Sequence, residues 1–297
     1  MNINNKSEKP KKKYILITPA KNEEFYLPTV ADSIINQSVL PEIWIIIDDG
    51  STDRTPEIIK NLKDKYNWIH SVKMPEGMRD LTFGVSRVYR SGFEYCRNYF
   101  LNNNKDYYFY GVIDADTCIE SNYFSNLIEK FFEDSSLGIA SGMIIDPLTG
   151  LNERPDYDFE PMGTGRIIRK ECYDEIGGYP PEPFADSITN IKAKLRGWKI
   201  AQFHDIKATH LRKTNSAEGE WKGQMMYGRY AHYFNKHPLL VFLTIGKLSL
   251  KKPFYTGLAF MIGYMSAVLK RDDIIKDTEI REYYRNDRLK EYMCKRN

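Results

Sequence analysis

The chain has 297 residues, enough for one large domain or two modest ones around a sizeable core. Apolar residues make up 42% and charged residues 28%, which excludes wholesale disorder. A net charge of +3, with Lys and Asp/Glu interspersed, argues against a nucleic-acid partner.

Residues 1–12 are polar and Lys-rich and read as a flexible basic tail. No signal peptide is expected, because the apolar run Tyr14–Thr18 is too short for its hydrophobic segment. The four cysteines, Cys96, Cys118, Cys172 and Cys294, are widely spaced. That pattern suits a reducing compartment, and hence the cytoplasm, better than a disulfide framework or a structural zinc.

Tyr14–Thr18 reads as a buried strand that runs into the loop Pro19–Glu24. Phe25, Leu27, Val30, Ile34 and Ile35 then follow helical spacing. Ile43–Ile47 is a second uncharged strand, closing on Asp48-Asp49-Gly50-Ser51-Thr52-Asp53. Ser51, Thr52 or Asp53 can cap the next helix, and Pro56 suits its first turn. Trp68–Val72 is a third strand, and 85–101 a helix. Strands alternating with helices predict a parallel sheet in an α/β domain, and runs apolar on both faces predict a sheet covered on both sides.

The fourth strand, Tyr107–Ile113, runs straight into Asp114-Ala115-Asp116. Two carboxylates this close repel unless a cation sits between them. Hard divalent cations such as Mg²⁺ and Mn²⁺ take oxygen ligands and are often shared with substrate phosphates. In a parallel sheet the carboxyl ends of the strands gather at one edge, where open α/β sheets bind ligands. The first strand brings Lys21 and Glu23 there, the second Asp48, Asp49 and Asp53, and the fourth Asp114 and Asp116. Each alone is an ordinary solvated turn; three on one edge are more specific.

These strings carry a resemblance. Thr18–Glu23, Ile46–Asp53 and Val112–Asp116 are similar to the motifs of family 2 glycosyltransferases with the GT-A fold. Further on, Gly163–Arg166, Arg169–Cys172, Ile176–Tyr179, Asp186 and Arg196–Trp198 follow the order of the family's acceptor half. The resemblance spans roughly residues 14–235. It implies a Rossmann-like, mostly parallel sheet with helices on both faces, followed by C-terminal helices. It implies a nucleotide-binding half over 13–117 and an acceptor half over 118–236; the apolar runs and charged tail beyond it read as a helical extension over 237–297.

The activity so implied is inverting, metal-dependent transfer of a sugar from a nucleotide diphosphate donor to a glycan or lipid-linked acceptor hydroxyl. Pro19, Ala20, Glu23, Asp48 and Asp49 would cradle the nucleoside. Asp116, with Asp114 beside it and His210 as a further ligand, would hold Mn²⁺ or Mg²⁺. Arg212 would hold the diphosphate. Asp186 would be the base that takes the acceptor's proton. Many members carry Glu-Asp where this chain has Ala185-Asp186, so one carboxylate stands where two are usual. Asp186 as a mere helix cap is the plain alternative.

Two other functions compete. Ile113–Thr117 superficially resembles the Asp-x-Asp nucleophile motif of haloacid dehalogenase-like phosphatases, although that motif opens the fold on the first strand. The Ala185 departure keeps a non-catalytic nucleotide-sugar or membrane-binding relative in view.

The most apolar stretches are 238–245 and 253–269. Lys247, Lys251 and Lys252 precede the second, and Lys270 and Arg271 follow it. It is shorter than a clear membrane span. A packing helix, a helix lying on the cytoplasmic face of a membrane, and a span are the three readings left open.

Overall fold

The computed structural model describes residues 12–74, 84–103, 106–152, 160–212, 219–250 and 252–294. The chain divides into two compact units, 1–212 and 213–297.

The first unit is built on strands β1 (Tyr14–Ala20), β2 (Ile43–Asp48), β3 (Ile69–Lys73), β4 (Phe109–Val112), β5 (Thr117–Ile119), β6 (Leu137–Ile145), β7 (Arg166–Arg169) and β8 (Lys199–His210). They form one sheet in the order β3-β2-β1-β4-β7-β6-β8-β5. β1 pairs in parallel with β2 and β4, β2 with β3, and β6 with β8. β7 runs antiparallel between β4 and β6, and β5 antiparallel on β8. The sheet is therefore mixed and mostly parallel, as expected.

Its helices are α1 (Leu27–Ile35), α2 (Thr55–Lys65), α3 (Gly84–Asn103), α4 (Tyr123–Glu133), α5 (Lys170–Glu175) and α6 (Ala185–Leu195). The uncharged runs of β1 and β2 serve two cores at once. Tyr14, Leu16, Trp44 and Ile46 face a layer with Val30 and Ile34 of α1 and Phe124, Leu127 and Phe131 of α4. Ile15, Ile17, Ile45 and Ile47 face the other, with Val88, Phe93 and Phe100 of α3 and Cys172 of α5. Alternate residues going to opposite layers is the period of two that a strand imposes. The buried Trp44 indole is satisfied by Thr18 Oγ1 at 2.9 Å.

β8 is longer than its apolar end suggests. Phe203 pairs with Gly142 and Lys207 with Met143, so β8 bulges over 204–206. His204 and Asp205 lie in that bulge, exposed, and interrupt the apolar alternation.

The second unit is helical: α7 (Glu220–Tyr233), α8 (Pro238–Ser249), α9 (Thr256–Lys270), α10 (Thr278–Glu282) and, after one π-helical turn over Tyr283–Asp287, α11 (Arg288–Cys294). The division falls before α7, whereas the sequence reading carries the acceptor half through residue 236. α7 crosses α9 at bare backbone: a Cβ on Gly228 would strike the Phe260 carbonyl, and one on Gly263 the Met225 carbonyl. Among the described residues, no helix is long and apolar enough to cross a membrane.

Lys236 is held inside this unit, donating to Thr244 Oγ1 at 3.1 Å. Burial, and then the nearby Arg288, pull its ammonium down to about 8. An unfolded Lys keeps its proton to about 10.4, so between these values the unfolded chain binds more protons and stability rises with pH. Below the folded value the penalty is fully present. Lys236→Met is therefore expected to stabilise at pH 7, by at most about 3 kcal/mol, and the gain should shrink towards pH 10. Thermal unfolding of both proteins across that range checks this; an equal difference at all pH values would contradict it.

Candidate functional site

The turn after β4 carries Asp114 and Asp116, closed by Thr117 N donating to Asp114 O at 3.2 Å. β5 starts at once and pairs with the far end of β8, Thr117 opposite His210. Leu211 N then donates to Asp116 O at 2.7 Å. This register is what delivers His210 to the acidic turn. Asp114, Asp116 and His210 each offer one ligand atom, all within 4.8 Å of one another.

Two carboxylates and an imidazole suit Mn²⁺ well and Mg²⁺ through the oxygens. Electrostatics fit a cation too. Burial first, and then Asp116, push the Asp114 carboxyl up to about 6. Glu23 is buried beside them, and burial pushes it up to about 7 against the pull of Arg212. Its Oε2 is buried with no hydrogen-bond partner among the described residues. This edge holds more negative charge than its own groups comfortably offset.

Arg212 is the main counterweight. Its Nε donates to Asp116 Oδ2 at 2.6 Å and its Nη2 to Glu23 Oε1 at 2.8 Å. Glu23, expected in the nucleoside cradle, is thus brought to Arg212 and the acidic turn. Its backbone N–H donates to Thr55 Oγ1 at 2.8 Å, which fixes the β1 loop on α2.

The remaining cradle residues lie where β1 and β2 end together. Pro19 pairs with Ile47 and Ala20 with Asp48. Asp48 is buried and accepts from Ser51 N at 2.8 Å; Asp49 pairs with Lys21 at 3.3 Å. None of the three caps proposed for α2 is its N-cap, which is Arg54; Asp53, one residue earlier, instead ties the β1 loop to the helix start, accepting from Thr55 N at 3.0 Å and from Glu24 N at 3.1 Å.

Asp186 reaches the same edge from α6. Sequence reading starts that helix at Ser187 with Asp186 ahead of it as a cap. In the structure Phe184 precedes the first turn in a left-handed conformation, with φ 55°, and Asp186 lies inside that turn. Its side chain makes no capping bond and faces Gly163, where a Cβ would stand 3.0 Å from Oδ2. A side chain at Gly163 would press on the carboxylate, which would have to give by a few tenths of an ångström. Arg166, fully buried, donates to Asp186 O at 3.3 Å and to Thr189 Oγ1 at 3.2 Å, and its other nitrogen to Asn190 Oδ1.

Three residues that sequence reading leaves unassigned hold the site. Tyr89 of α3 donates a hydrogen bond to Asp114 Oδ1, and burial pushes its phenol well above its ordinary value. Thr164 Oγ1 accepts from Asp114 N at 2.8 Å. Arg166 anchors α6. Thr164 and Arg166 stand in the Gly163–Arg166 string, which was a usable signal; Tyr89 sits in an unremarkable amphipathic helix and left none. Two further carboxylates, Asp158 and Glu160, are the next candidates for the base after Asp186; Glu160 pairs with Lys194 at 3.1 Å, and Asp158 lies outside the described residues.

The model of the family described as "Glycosyl transferase family 2" matches residues 15–184. The minor teichoic acid biosynthesis protein GgaA of Bacillus subtilis (strain 168) is 28% identical over 131 residues, 43% of this chain and 26% of that protein. The putative glycosyltransferase EpsH of the same organism is 22% identical over 223 residues, 74% of this chain and 55% of that one. The similarity to these relatives thus spans about a quarter and about half of their lengths.

Among solved structures, the mannosyltransferase PcManGT from Pyrobaculum calidifontis, in complex with GDP-Man and Mn2+, superposes with a TM-score of 0.60 at 15% identity, covering 88% of each chain. S. aureus TarS 1–349 in complex with UDP-GlcNAc gives 0.52 at 17% identity, covering 73% of this chain and 65% of that one. At these identities the likeness speaks for the fold, which is GT-A.

Proposed function

Because the chain belongs to glycosyl transferase family 2, we propose that it moves a sugar from a nucleotide diphosphate donor to an acceptor hydroxyl by single displacement with inversion. One observation carries this reading. The Asp114–Asp116–His210 cluster and the Asp186 carboxylate are linked through the Gly163–Gly165 segment, whose Thr164 Oγ1 accepts from Asp114 N and whose Gly163 faces Asp186.

Each group has a task there. Asp48, Asp49, Pro19 and Ala20 line the joined ends of β1 and β2, where carboxylate oxygens accept from base N–H groups and ribose hydroxyls. Arg212, a planar fork already bonded to two carboxylates, is suited to exchange them for diphosphate oxygens. Asp186 accepts the acceptor hydroxyl's proton as the acceptor oxygen bonds to the anomeric carbon. The bond from that carbon to the diphosphate oxygen breaks, and its electron pair leaves with the nucleotide. Asp114, Asp116 and His210 would hold Mn²⁺ or Mg²⁺, which supplies Lewis-acid stabilisation of the charge on the departing diphosphate. Tyr89 keeps Asp114 oriented through its hydrogen bond.

GDP-Man and Mn2+ in the PcManGT complex and UDP-GlcNAc in the TarS complex support this donor class. The acceptor we infer is a glycan or lipid-linked hydroxyl. Free thiols at Cys96, Cys118 and Cys172 support a cytoplasmic location. The phosphatase reading is disfavoured, because Asp114 follows the fourth strand and its carboxylate is engaged by Tyr89.

Thermal denaturation with UDP-Glc, UDP-GlcNAc and GDP-Man, each with Mn²⁺ or EDTA, tests the reading. A true donor at about a hundred times its dissociation constant should stabilise by about 2.7 kcal/mol. Stabilisation by none of a full panel of nucleotide sugars, with phosphate released from p-nitrophenyl phosphate, would overturn it.

A further inference from the structure

α9 is apolar all round, but the second unit packs only half of it. Gly257, Ala259, Phe260, Gly263 and Ala267 are buried. Leu258, Met261, Ile262, Met265, Val268 and Leu269 are exposed, Leu258 by 47% and Leu269 by 77%. Their spacing of three and four makes them one continuous stripe along the helix. α8 repeats the division. Val241, Ile245 and Leu248 face the core with Phe260, while Leu239 and Phe242 point outward, Phe242 71% exposed. An outward helix face in a water-soluble protein is normally polar. Contiguous apolar surface of this kind marks an interaction site.

Charge says what covers it. From Trp221 to Arg271 there is no Asp or Glu, while eight Lys and Arg fall in that stretch, of which Lys236 is held inside the unit and Arg229 pairs with Asp272. The whole chain carries only +3, so its positive charge is concentrated on this unit's α7–α9 segment. The bases bracket the stripe. Lys247 and Lys252 are exposed towards the α8–α9 connection, and Lys270 and Arg271 at the far end of α9. Exposed aromatics join the first pair: Phe254, and Tyr255 with its ring 5.7 Å from that of Trp221. Apolar stripe, basic ends and amphipathic rings together are the composition of a helix lying in a lipid headgroup layer. The 15 residues of α9 extend about 22 Å, short of the roughly 30 Å hydrocarbon core.

We propose that the outward face of α8 and α9 binds the surface of an anionic lipid bilayer, the helices lying along the leaflet without crossing it. This assignment does not depend on the glycosyltransferase reading. The full-length protein should co-sediment with vesicles of phosphatidylcholine and phosphatidylglycerol at least about tenfold more strongly than with phosphatidylcholine alone, and high salt should reduce the difference. Ile262→Glu with Met265→Glu should lower binding at least about tenfold, with circular dichroism and melting unchanged, because both side chains are exposed. Lys247→Gln with Lys252→Gln should remove most of the preference for the anionic lipid. No binding to either vesicle overturns the proposal, as does equal binding by all variants. A dimer in solution that Ile262→Glu dissociates would also overturn it, and would assign the face to a second copy of the chain.

Discussion

Asp186→Asn is expected to fold and to bind the nucleotide sugar as the parent does, yet to lose turnover by about 10²–10⁴-fold, the usual contribution of a general base. The structural duty that the amide would disturb is electrostatic: the carboxylate offsets the charge of the buried Arg166, so a modest loss of thermal stability should accompany the change. The side chain caps nothing, and what fixes it is its own backbone, held by Arg166 through the carbonyl and by Thr189 Oγ1, which donates to that carbonyl at 2.7 Å. Asparagine keeps the shape against Gly163 and removes the capacity to take a proton, together with the negative charge that offsets the buried Arg166 guanidinium. The absence of a second acid at Ala185 makes the loss sharper, since Ala185 is a buried packing residue with no carboxylate to substitute. Single-turnover transfer with the acceptor saturating, alongside donor-induced thermal stabilisation, separates chemistry from binding. Near-parental turnover would move the base elsewhere. Glu160 would then be tested next, although it must first leave Lys194.

What could be read without coordinates follows from how local each signal is. β1 and β2 were legible because burial on both faces leaves an uncharged run with no other explanation. Asp48–Asp53 was legible because turn and carboxylates lie within six consecutive residues. The start of β8 was not, because a bulge moves Lys207 into the place that simple alternation gives to His204. β7 was hidden for a different reason. It begins and ends in arginine, and a strand that buries Arg166 completely contradicts what side-chain polarity predicts. The guanidinium is tolerated because its contacts are supplied by α6, 20 and more residues later. The Glu23–Arg212 pair spans 189 residues and the Asp116–Arg212 pair 96, distances over which no motif operates. Such contacts exist only once the register of β5 on β8 is set.

Asp116→Asn is expected to abolish the Mn²⁺-dependent part of nucleotide diphosphate binding. The loss of Mn²⁺ affinity should be at least about 100-fold, beyond the 10–100-fold typical of partners that merely orient a ligand. Asp116 has two jobs that must be separated. It is a member of the Asp114–Asp116–His210 cluster, and it accepts from Arg212 at 2.6 Å. Arg212 is about half exposed, so the pair itself is worth little to stability, and the folded state should survive either change. Arg212→Gln removes the same ion pair but leaves all three cluster members. If the metal is what links protein to diphosphate, Arg212→Gln should weaken UDP or GDP binding in Mn²⁺ and in EDTA alike, whereas Asp116→Asn should weaken it only in Mn²⁺. The double variant then reports their coupling, and groups in direct contact should depart from additivity. Titration calorimetry of the four proteins, with and without the ion, gives the full cycle. Equal affinity of the parent protein in Mn²⁺ and EDTA would remove the metal from donor binding. The acidic turn would then act through Arg212, as a clamp that keeps the guanidinium in place until the diphosphate displaces it.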